Sequence, residues 1–339
     1  MVDIDFRTPF LDEAAGFLTF AEELERLGYG AHWLAHSIGR DFPRMDTLML
    51  MAGMAARTHR IKLGVGVLQA PLYSPVALGR MLVTLDHLSN GRLILGIGTG
   101  WVPKEFANLG VPFEERGGRT DEALEILKRL WTEEEVTYQG RYYTIHEARL
   151  EPKPLQRPYP RIIMGGVYNR GQRGYPGEKP RPRWSQRAIR RTARFADGWI
   201  TPPNVEAASA VEVLSEAMER IRAAGQDAGR TITDEGFDLI VQAGSICIGA
   251  SKEEARAEAY KAYMSRVTGG FYQVMGNLSF DDMMGACGTA DEVAAFVDSW
   301  LEVQKGVPAL KRIQFDLSSL SPVRQLQRFH AEVQPLLKR

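Results

Sequence analysis

Gly91-Arg-Leu-Ile-Leu-Gly-Ile-Gly-Thr-Gly-Trp101 is the stretch from which the fold is read. The apolar run Leu93 to Ile97 predicts a buried strand, and the small residues after it predict that its C-terminal end opens into a loop. Gly96, Gly98 and Gly100 let backbone approach a ligand where any side chain would block it. A tight strand-to-loop turn would use the same glycines, and the spacing alone does not choose between the two. Trp101 is the one residue of the motif whose size, rather than smallness, needs an explanation.

Outward from this strand the chain alternates strand and helix. Eight strands are predicted at Val2 to Arg7, Ala31 to Ala35, Ile61 to Leu68, Arg92 to Ile97, Ile162 to Met164, Gly198 to Thr201, Phe237 to Ile248 and Lys311 to Leu317. Between the first two, Ala14, Ala15, Leu18, Ala21, Leu24 and Leu27 fall on one side of a helix that Gly28 stops. Between the second and third lies a helix with Met49, Met51 and Met54, whose adaptable side chains suit a core or a subunit interface. Val136 to Ile145, turning at Gln139-Gly140, predicts an appended hairpin. No linker divides the chain. The pattern predicts an α/β chain folded as one (β/α)8 TIM barrel over residues 1–339, with insertions at about 132–160, 167–184 and 265–288. A doubly wound dinucleotide-binding sheet is disfavoured, because the glycine-rich strand is the fourth and no acidic residue follows a first Gly-x-Gly at the ribose-binding distance.

Composition excludes several functions. The 42 Lys and Arg balance 42 Asp and Glu, which argues against nucleic acid and membrane surfaces as partners. Cys247 and Cys287 form neither a disulfide framework nor a Cys-x-x-Cys pair, so the chain fits a reducing cytoplasm. The first residues lack the basic start and apolar core of a signal peptide, and Leu48 to Ala56 is too short to span a bilayer.

In such a barrel the active site lies at the C-terminal ends of the strands. Those positions hold Arg7, His36, Gly66-Val67, Thr99-Gly100-Trp101, Gly165-Gly166 and Thr201. The set is rich in glycine, contains one histidine, and has no carboxylate pair and no metal-ligand spacing. No Gly-x-Ser-x-Gly element marks a serine hydrolase. A mouth lined by glycines beside a flat indole suits a broad planar cofactor better than a sugar.

Several motifs resemble one family. Leu85-Asp-His-Leu-Ser-Asn-Gly-Arg-Leu-Ile-Leu-Gly-Ile-Gly-Thr-Gly-Trp101, Leu109-Gly-Val-Pro-Phe113, Gly140-Arg-Tyr-Tyr143, Ile162-Ile-Met-Gly-Gly166, Ala193-Arg-Phe-Ala-Asp-Gly-Trp199 and Gly288-Thr289-Ala290 look like the bacterial-luciferase-like oxidoreductases. The resemblance runs from the third strand to the last helix and is specific for the superfamily, not for a substrate. It implies an eight-stranded barrel with insertions, and a cofactor, reduced FMN or the deazaflavin coenzyme F-420, lying across the strand ends.

The resemblance also implies roles for individual residues. Gly66-Val67 matches the place where many relatives carry a non-proline cis peptide under the cofactor ring, and an ordinary trans strand end is the alternative. Thr99 and Gly100 match positions against the cofactor, and Gly165-Gly166 matches the pair that wraps its phosphate side. Ser185 opens a helix, where it either helps hold that phosphate or acts only as a cap. His36 is the catalytic candidate, as a proton donor or flavin partner, with a structural role as the alternative. Relatives often place an acid followed by histidine there, and in Leu34-Ala-His-Ser37 the histidine falls at the acid's place. Deazaflavin relatives often carry a glutamate where Trp101 stands, so Trp101 can stack or wall the pocket but cannot give a proton.

Arg7 and Trp101, with Arg40 and Tyr272, border the predicted substrate pocket. Asp86, His87 and His146 read as structural or surface residues. The Gly-, Pro- and Arg-rich segment 167–184 departs from the family pattern and reads as a loop, either covering the cofactor or lying on the surface. The reading is thus a reduced-FMN-dependent monooxygenase acting on a small organic substrate, with a separate flavin reductase as partner and a homodimeric state. An F-420-dependent hydride-transfer enzyme and a non-catalytic flavin-binding barrel are its alternatives.

Overall fold

The computed structural model describes residues 2–7, 13–38, 45–169, 183–202, 205–268 and 279–338. Eight strands close a ring in which every pairing is parallel: β1 (Asp3–Arg7), β2 (Ala31–Leu34), β3 (Lys62–Gln69), β4 (Leu93–Gly98), β7 (Ile162–Met164), β10 (Gly198–Ile200), β11 (Asp238–Ile248) and β13 (Leu310–Leu317). Pairing of β1 with β13 and of β10 with β11 closes the ring. Helices α1 (Ala14–Arg26), α2 (Thr47–Arg57), α3 (Pro75–Leu88), α5 (Arg116–Thr132), α6 (Gln186–Phe195), α7 (Ala207–Asp227) and the helix Ala290–Gly306 follow strands in turn, with a short α4 (Pro103–Asn108) after β4. This is the (β/α)8 barrel predicted from the alternation, with element ends shifted by one to a few residues. The hairpin β5 (Val136–Gln139) and β6 (Thr144–Ala148) stands where it was expected.

Two features depart from the sequence reading. The segment 167–184 is not loop throughout: β8 (Tyr168–Asn169) and β9 (Arg183–Trp184) pair as an antiparallel ribbon, while residues 170–182 lie outside the described residues. The Tyr168 and Trp184 rings lie 4.8 Å apart at its base. A further strand, β12 (Met284–Gly288), falls in the segment read as an insertion. Its sequence, Met-Gly-Ala-Cys-Gly, carries no strand signal of its own. It forms because three-residue β10 covers only Asp238–Ile240 of the longer β11, and Ser245–Ile248 is left an edge for β12 to pair with.

Alternation along the strands sorts side chains between two cores. Ile4 and Phe6 of β1 pack outward with Phe329, Ile313 and Phe315 beneath the helices. Asp5 and Trp33 point inward, where Ala31, Ile94, Ile163, Ile200 and Ile240 fill the barrel with Trp33. Gly64 makes room for that indole, because a Cβ there would lie 2.3 Å from Trp33 Cε3. Asp5 is fully buried; it accepts from Trp33 Nε1 at 2.9 Å and from Arg312 Nη1 at 3.0 Å. Burial, only partly offset by Arg312, pushes Asp5 up to about 6. Met51 and Met54 belong to the outer core and Met49 is exposed, so α2 offers a second chain one methionine rather than three. Among the described residues no helix is long and apolar enough to cross a membrane.

His32 faces outward from β2 with its ring 5.3 Å from that of Phe20. Burial pushes its pKa from 6.5 down to about 3. The unfolded chain therefore takes up a proton below about pH 6.5 that the folded chain refuses until about pH 3. Stability from this group is complete above the upper limit and falls as the pH drops through the window, by about 1.4 kcal/mol per unit. Asp5 acts in the opposite sense, because its raised pKa favours the folded state as the pH falls below about 6. The test is therefore a difference. In urea unfolding, His32→Leu is expected to lose about 2–3 kcal/mol less than wild type between pH 7 and about pH 4.5. Equal losses in the two proteins would show that His32 is not held neutral.

Candidate active site

The mouth at the C-terminal ends of the strands has two unlike walls. On β3, β4 and β7 the inward positions are stripped to glycine around one side chain, that of Val67. The Gly66–Val67 peptide is cis, as expected, and it interrupts the β3–β4 register between Val65 and Leu68. An ideal Cβ on Gly96 would lie 2.1 Å from the Val65 carbonyl oxygen, and one on Gly98 would lie 2.6 Å from Val67 Cγ2. A Cβ on Gly165 would sit 3.4 Å from Val67 Cγ1, in ordinary contact, so that position is clear only because it is glycine. Gly66, Val67, Thr99, Gly100 and Gly165 are half-buried at the opening, and Gly166 is exposed. Gly100 and Gly166 have φ of +75° and +89°, backbone conformations that favour glycine. The result is a shallow bed of backbone and one valine.

The opposite wall, on β1, β11 and β13, is polar. Arg7 donates through Nη1 to Gln242 Oε1, and its Nε lies 3.7 Å from Asp316. Gln242 in turn donates through Nε2 to the Thr201 carbonyl at 2.8 Å, and its backbone N–H reaches Thr201 Oγ1 at 3.0 Å. Gln314 pairs in register with Asp5 and Gln242, one inward step below Asp316. It is 1% exposed, and among the described residues neither its Nε2 nor its Oε1 has a hydrogen-bond partner. An unpaired buried amide costs free energy unless a water or ligand group completes it. This wall is therefore built to meet hydrogen-bonding groups, as the glycine wall is built to meet a flat face.

His36 closes the mouth between the two walls. Its Nδ1 lies 2.7 Å from Gln69 Oε1 and its Nε2 lies 2.7 Å from the Tyr73 hydroxyl. Gln69 Nε2 donates to Glu105 Oε2 at 3.1 Å, and Glu105 Oε1 accepts from the Ile38 N–H at 2.9 Å. His36, Gln69 and Glu105 are all buried, and Tyr73 is half-buried. Burial, with a smaller contribution from Asp46, pushes the Tyr73 hydroxyl up to about 12. Trp101, 40% exposed, stands at the outer edge of the mouth beside the start of α4.

The fold thus brings Arg7, His36, Gly66-Val67, Thr99-Gly100 and Gly165-Gly166 to one end of the barrel. Ser185 caps α6 next to the β8–β9 ribbon; its Oγ accepts from the Ala188 N–H at 3.3 Å. Asp86 and His87 are structural, tying α3 to Gln156 and Lys153, and His146 is exposed on β6. Arg40 and Tyr272 lie outside the described residues. One elimination from the sequence is corrected: acids do stand at this end. Asp316 sits one residue inside the end of β13, and Glu105 arrives from α4, beyond the end of β4. Gln69, Tyr73, Gln242 and Gln314 were also missed. Glutamines inside two predicted strands, at 242 and 314, and just past a third, at 69, were the available signal.

Comparison with known proteins relates this barrel to one enzyme family. Residues 7–173, just under half of the chain, match the sequence profile of the luciferase-like monooxygenase family. It is 33% identical over 184 residues to an uncharacterized protein of Mycobacterium tuberculosis, a match covering 54% of this chain and 58% of that one. The chain thus spans a little over half the length of that relative. It is 28% identical over 262 residues to an FMNH2-dependent dimethylsulfone monooxygenase of Pseudomonas putida, covering 75% and 61% of the two chains. It is 37% identical over 155 residues to an F420-dependent glucose-6-phosphate dehydrogenase of Kineococcus radiotolerans, covering 43% and 45%. Among solved structures, an F420-dependent secondary alcohol dehydrogenase superposes over the full length of both chains with a TM-score of 0.75 at 16% identity.

Proposed function

We propose that this chain is a monooxygenase that uses reduced FMN to oxygenate a small organic substrate. The observation that carries the reading is the one-sided mouth: a bed of glycine backbone and Val67 on one side, hydrogen-bonding side chains on the other. A tricyclic ring suits the first wall, where Gly66, Val67, Thr99 and Gly100 would lie along it. Gly165, Gly166, Ser185 and the first N–H groups of α6 would hold its phosphate end. When bound, reduced FMN supplies the electrons with which dioxygen is activated. Arg7 and Gln242 orient the substrate by hydrogen bonds, and Trp101 walls it from solvent. His36, with the Tyr73 hydroxyl at its Nε2, holds and moves a proton at the mouth.

A flavin reductase supplies the reduced cofactor, and two copies of the chain form the working dimer. Cys247 and Cys287 are both free thiols, which suits a reducing cytoplasm. Coenzyme F-420 is the second reading, favoured by the 37% identity to an F420-dependent dehydrogenase. Reduced FMN is preferred because the longest of these alignments is to an FMNH2-dependent enzyme, and because an indole at 101 offers no proton for hydride-transfer chemistry.

Anaerobic fluorescence titration of the purified chain with each reduced cofactor decides the matter. Reduced FMN is expected to bind at least about tenfold tighter, a difference of about 1.4 kcal/mol. Tight F-420 binding with no affinity for reduced FMN would overturn the choice. Binding of neither would overturn the flavin reading.

A further inference from the structure

We propose that Glu105 is a positioning residue for His36: acting through the Gln69 amide, it holds the imidazole with its proton on Nδ1 and leaves Nε2 as the acceptor of the Tyr73 hydroxyl. The inference rests on the reading of His36 as the proton-handling group. The chain of contacts starts from a donor that cannot be reversed, the backbone N–H of Ile38, which reaches Glu105 Oε1 at 2.9 Å. Gln69 turns its NH2 group to Glu105 Oε2, at 3.1 Å, and its carbonyl to His36. An imidazole nitrogen 2.7 Å from a carbonyl oxygen must carry the hydrogen, so Nδ1 is protonated. In a neutral ring Nε2 is then a lone pair facing the Tyr73 hydroxyl at 2.7 Å.

The arrangement has a direction. A proton reaches or leaves His36 on the Nε2 side, by way of the tyrosine, while the Nδ1 side is closed by an amide bound to a carboxylate. Gln69, Glu105 and His36 come from the ends of β3, the start of α4 and the segment after β2, so three successive units of the barrel fix one tautomer. All three are buried, so water does not compete for these hydrogen bonds.

An isosteric change reverses the whole chain. In Glu105→Gln, the Ile38 N–H still requires an acceptor, so the introduced amide must present its oxygen there and its NH2 group to Gln69. Gln69 must then flip and donate to His36 Nδ1, which moves the imidazole proton to Nε2. Long-range proton–nitrogen correlation spectra of the full chain, with ¹⁵N-labelled histidine and without cofactor, read this directly. His36 is assigned by the signal lost in His36→Asn. Wild type is expected to show a protonated Nδ1 and an unprotonated Nε2 for His36, and Glu105→Gln is expected to exchange the two. A wild-type His36 protonated on Nε2, or a well-folded Glu105→Gln with the wild-type pattern, overturns the proposal. Should Glu105→Gln fail to fold, the wild-type spectrum decides alone. Because the spectra need no flavin, a chain that shows the switch yet binds no reduced FMN overturns only the cofactor reading.

Discussion

Replacing Gly96 with alanine is expected to destabilise the fold by about 3 kcal/mol, the upper end of the usual overpacking range, and to abolish reduced-flavin binding. The added Cβ would lie 2.1 Å from the Val65 carbonyl oxygen and 3.2 Å from Val67 Cγ1. Neither can retreat cheaply. The Val65 carbonyl belongs to β3, which pairs with β4 at that level, and Val67 Cγ2 already stands against Gly98. Gly165→Ala is the discriminating partner experiment. Its Cβ would meet Val67 and Ile200 only at 3.4–3.9 Å, and Gly165 is not among the glycines with positive φ. Stability should be unchanged or higher by about 0.4–1 kcal/mol. The same methyl group projects over the bed, so affinity for reduced FMN should fall about tenfold or more. Urea unfolding and anaerobic titration of both variants separate the two effects. A Gly165→Ala protein that binds reduced FMN as tightly as wild type would show that the cofactor does not lie on this wall.

That contrast bears on what could be read in the sequence. The barrel was legible because eight apolar runs of strand length recur between amphipathic stretches, and because Gly96, Gly98 and Gly165 fall at strand ends, where a tight turn or a close approach calls for them. The glycine wall was legible for the same reason, since a missing side chain shows in one segment. The rest of the polar wall beyond Arg7, and the partners of His36, were not. Arg7, Gln242 and Gln314 come from β1, β11 and β13, which meet only when the ring closes. Glu105 lies in α4, seven residues beyond Gly98, and its partner Gln69 belongs to β3. Strand-end reading takes one residue per strand and so passes over groups delivered by the next helix. Likewise β12 is a strand because β11 offers it an edge, a property of the neighbour and not of Met284–Gly288.

Loss of Arg92 should be as damaging as Gly96→Ala, for a reason that lies at the other end of the same strand. Arg92 is buried just before β4 and makes five hydrogen bonds. Its Nε donates to the Ser89 carbonyl, Nη1 to Thr58 Oγ1 and the Ile61 carbonyl, and Nη2 to the carbonyls of Ala55 and Thr58. Its pKa is lowered by burial, against a smaller opposite effect of Glu25, with which it makes no direct ion pair among the described residues. The Ala55 and Thr58 carbonyls belong to the end of α2, where acceptors have no partner within the helix. One planar guanidinium thus satisfies the end of α2, the end of α3 and the residue before β3 together. Arg92→Met keeps the volume but leaves these carbonyls buried without donors, and about 3–5 kcal/mol of stability should be lost. Arg92→Lys should recover less than half of that, because a point-like ammonium cannot span five acceptors fixed by a planar fork. Urea unfolding at neutral pH measures both. Full recovery by lysine would mean that charge alone, and not the fork, holds the three segments. Arg92 also sets the height at which β3 and β4 begin, and the glycine bed lies at their far ends. In Arg92→Met kept cold enough to stay folded, reduced-FMN affinity should therefore fall by less than in Gly165→Ala, although the stability loss is far greater.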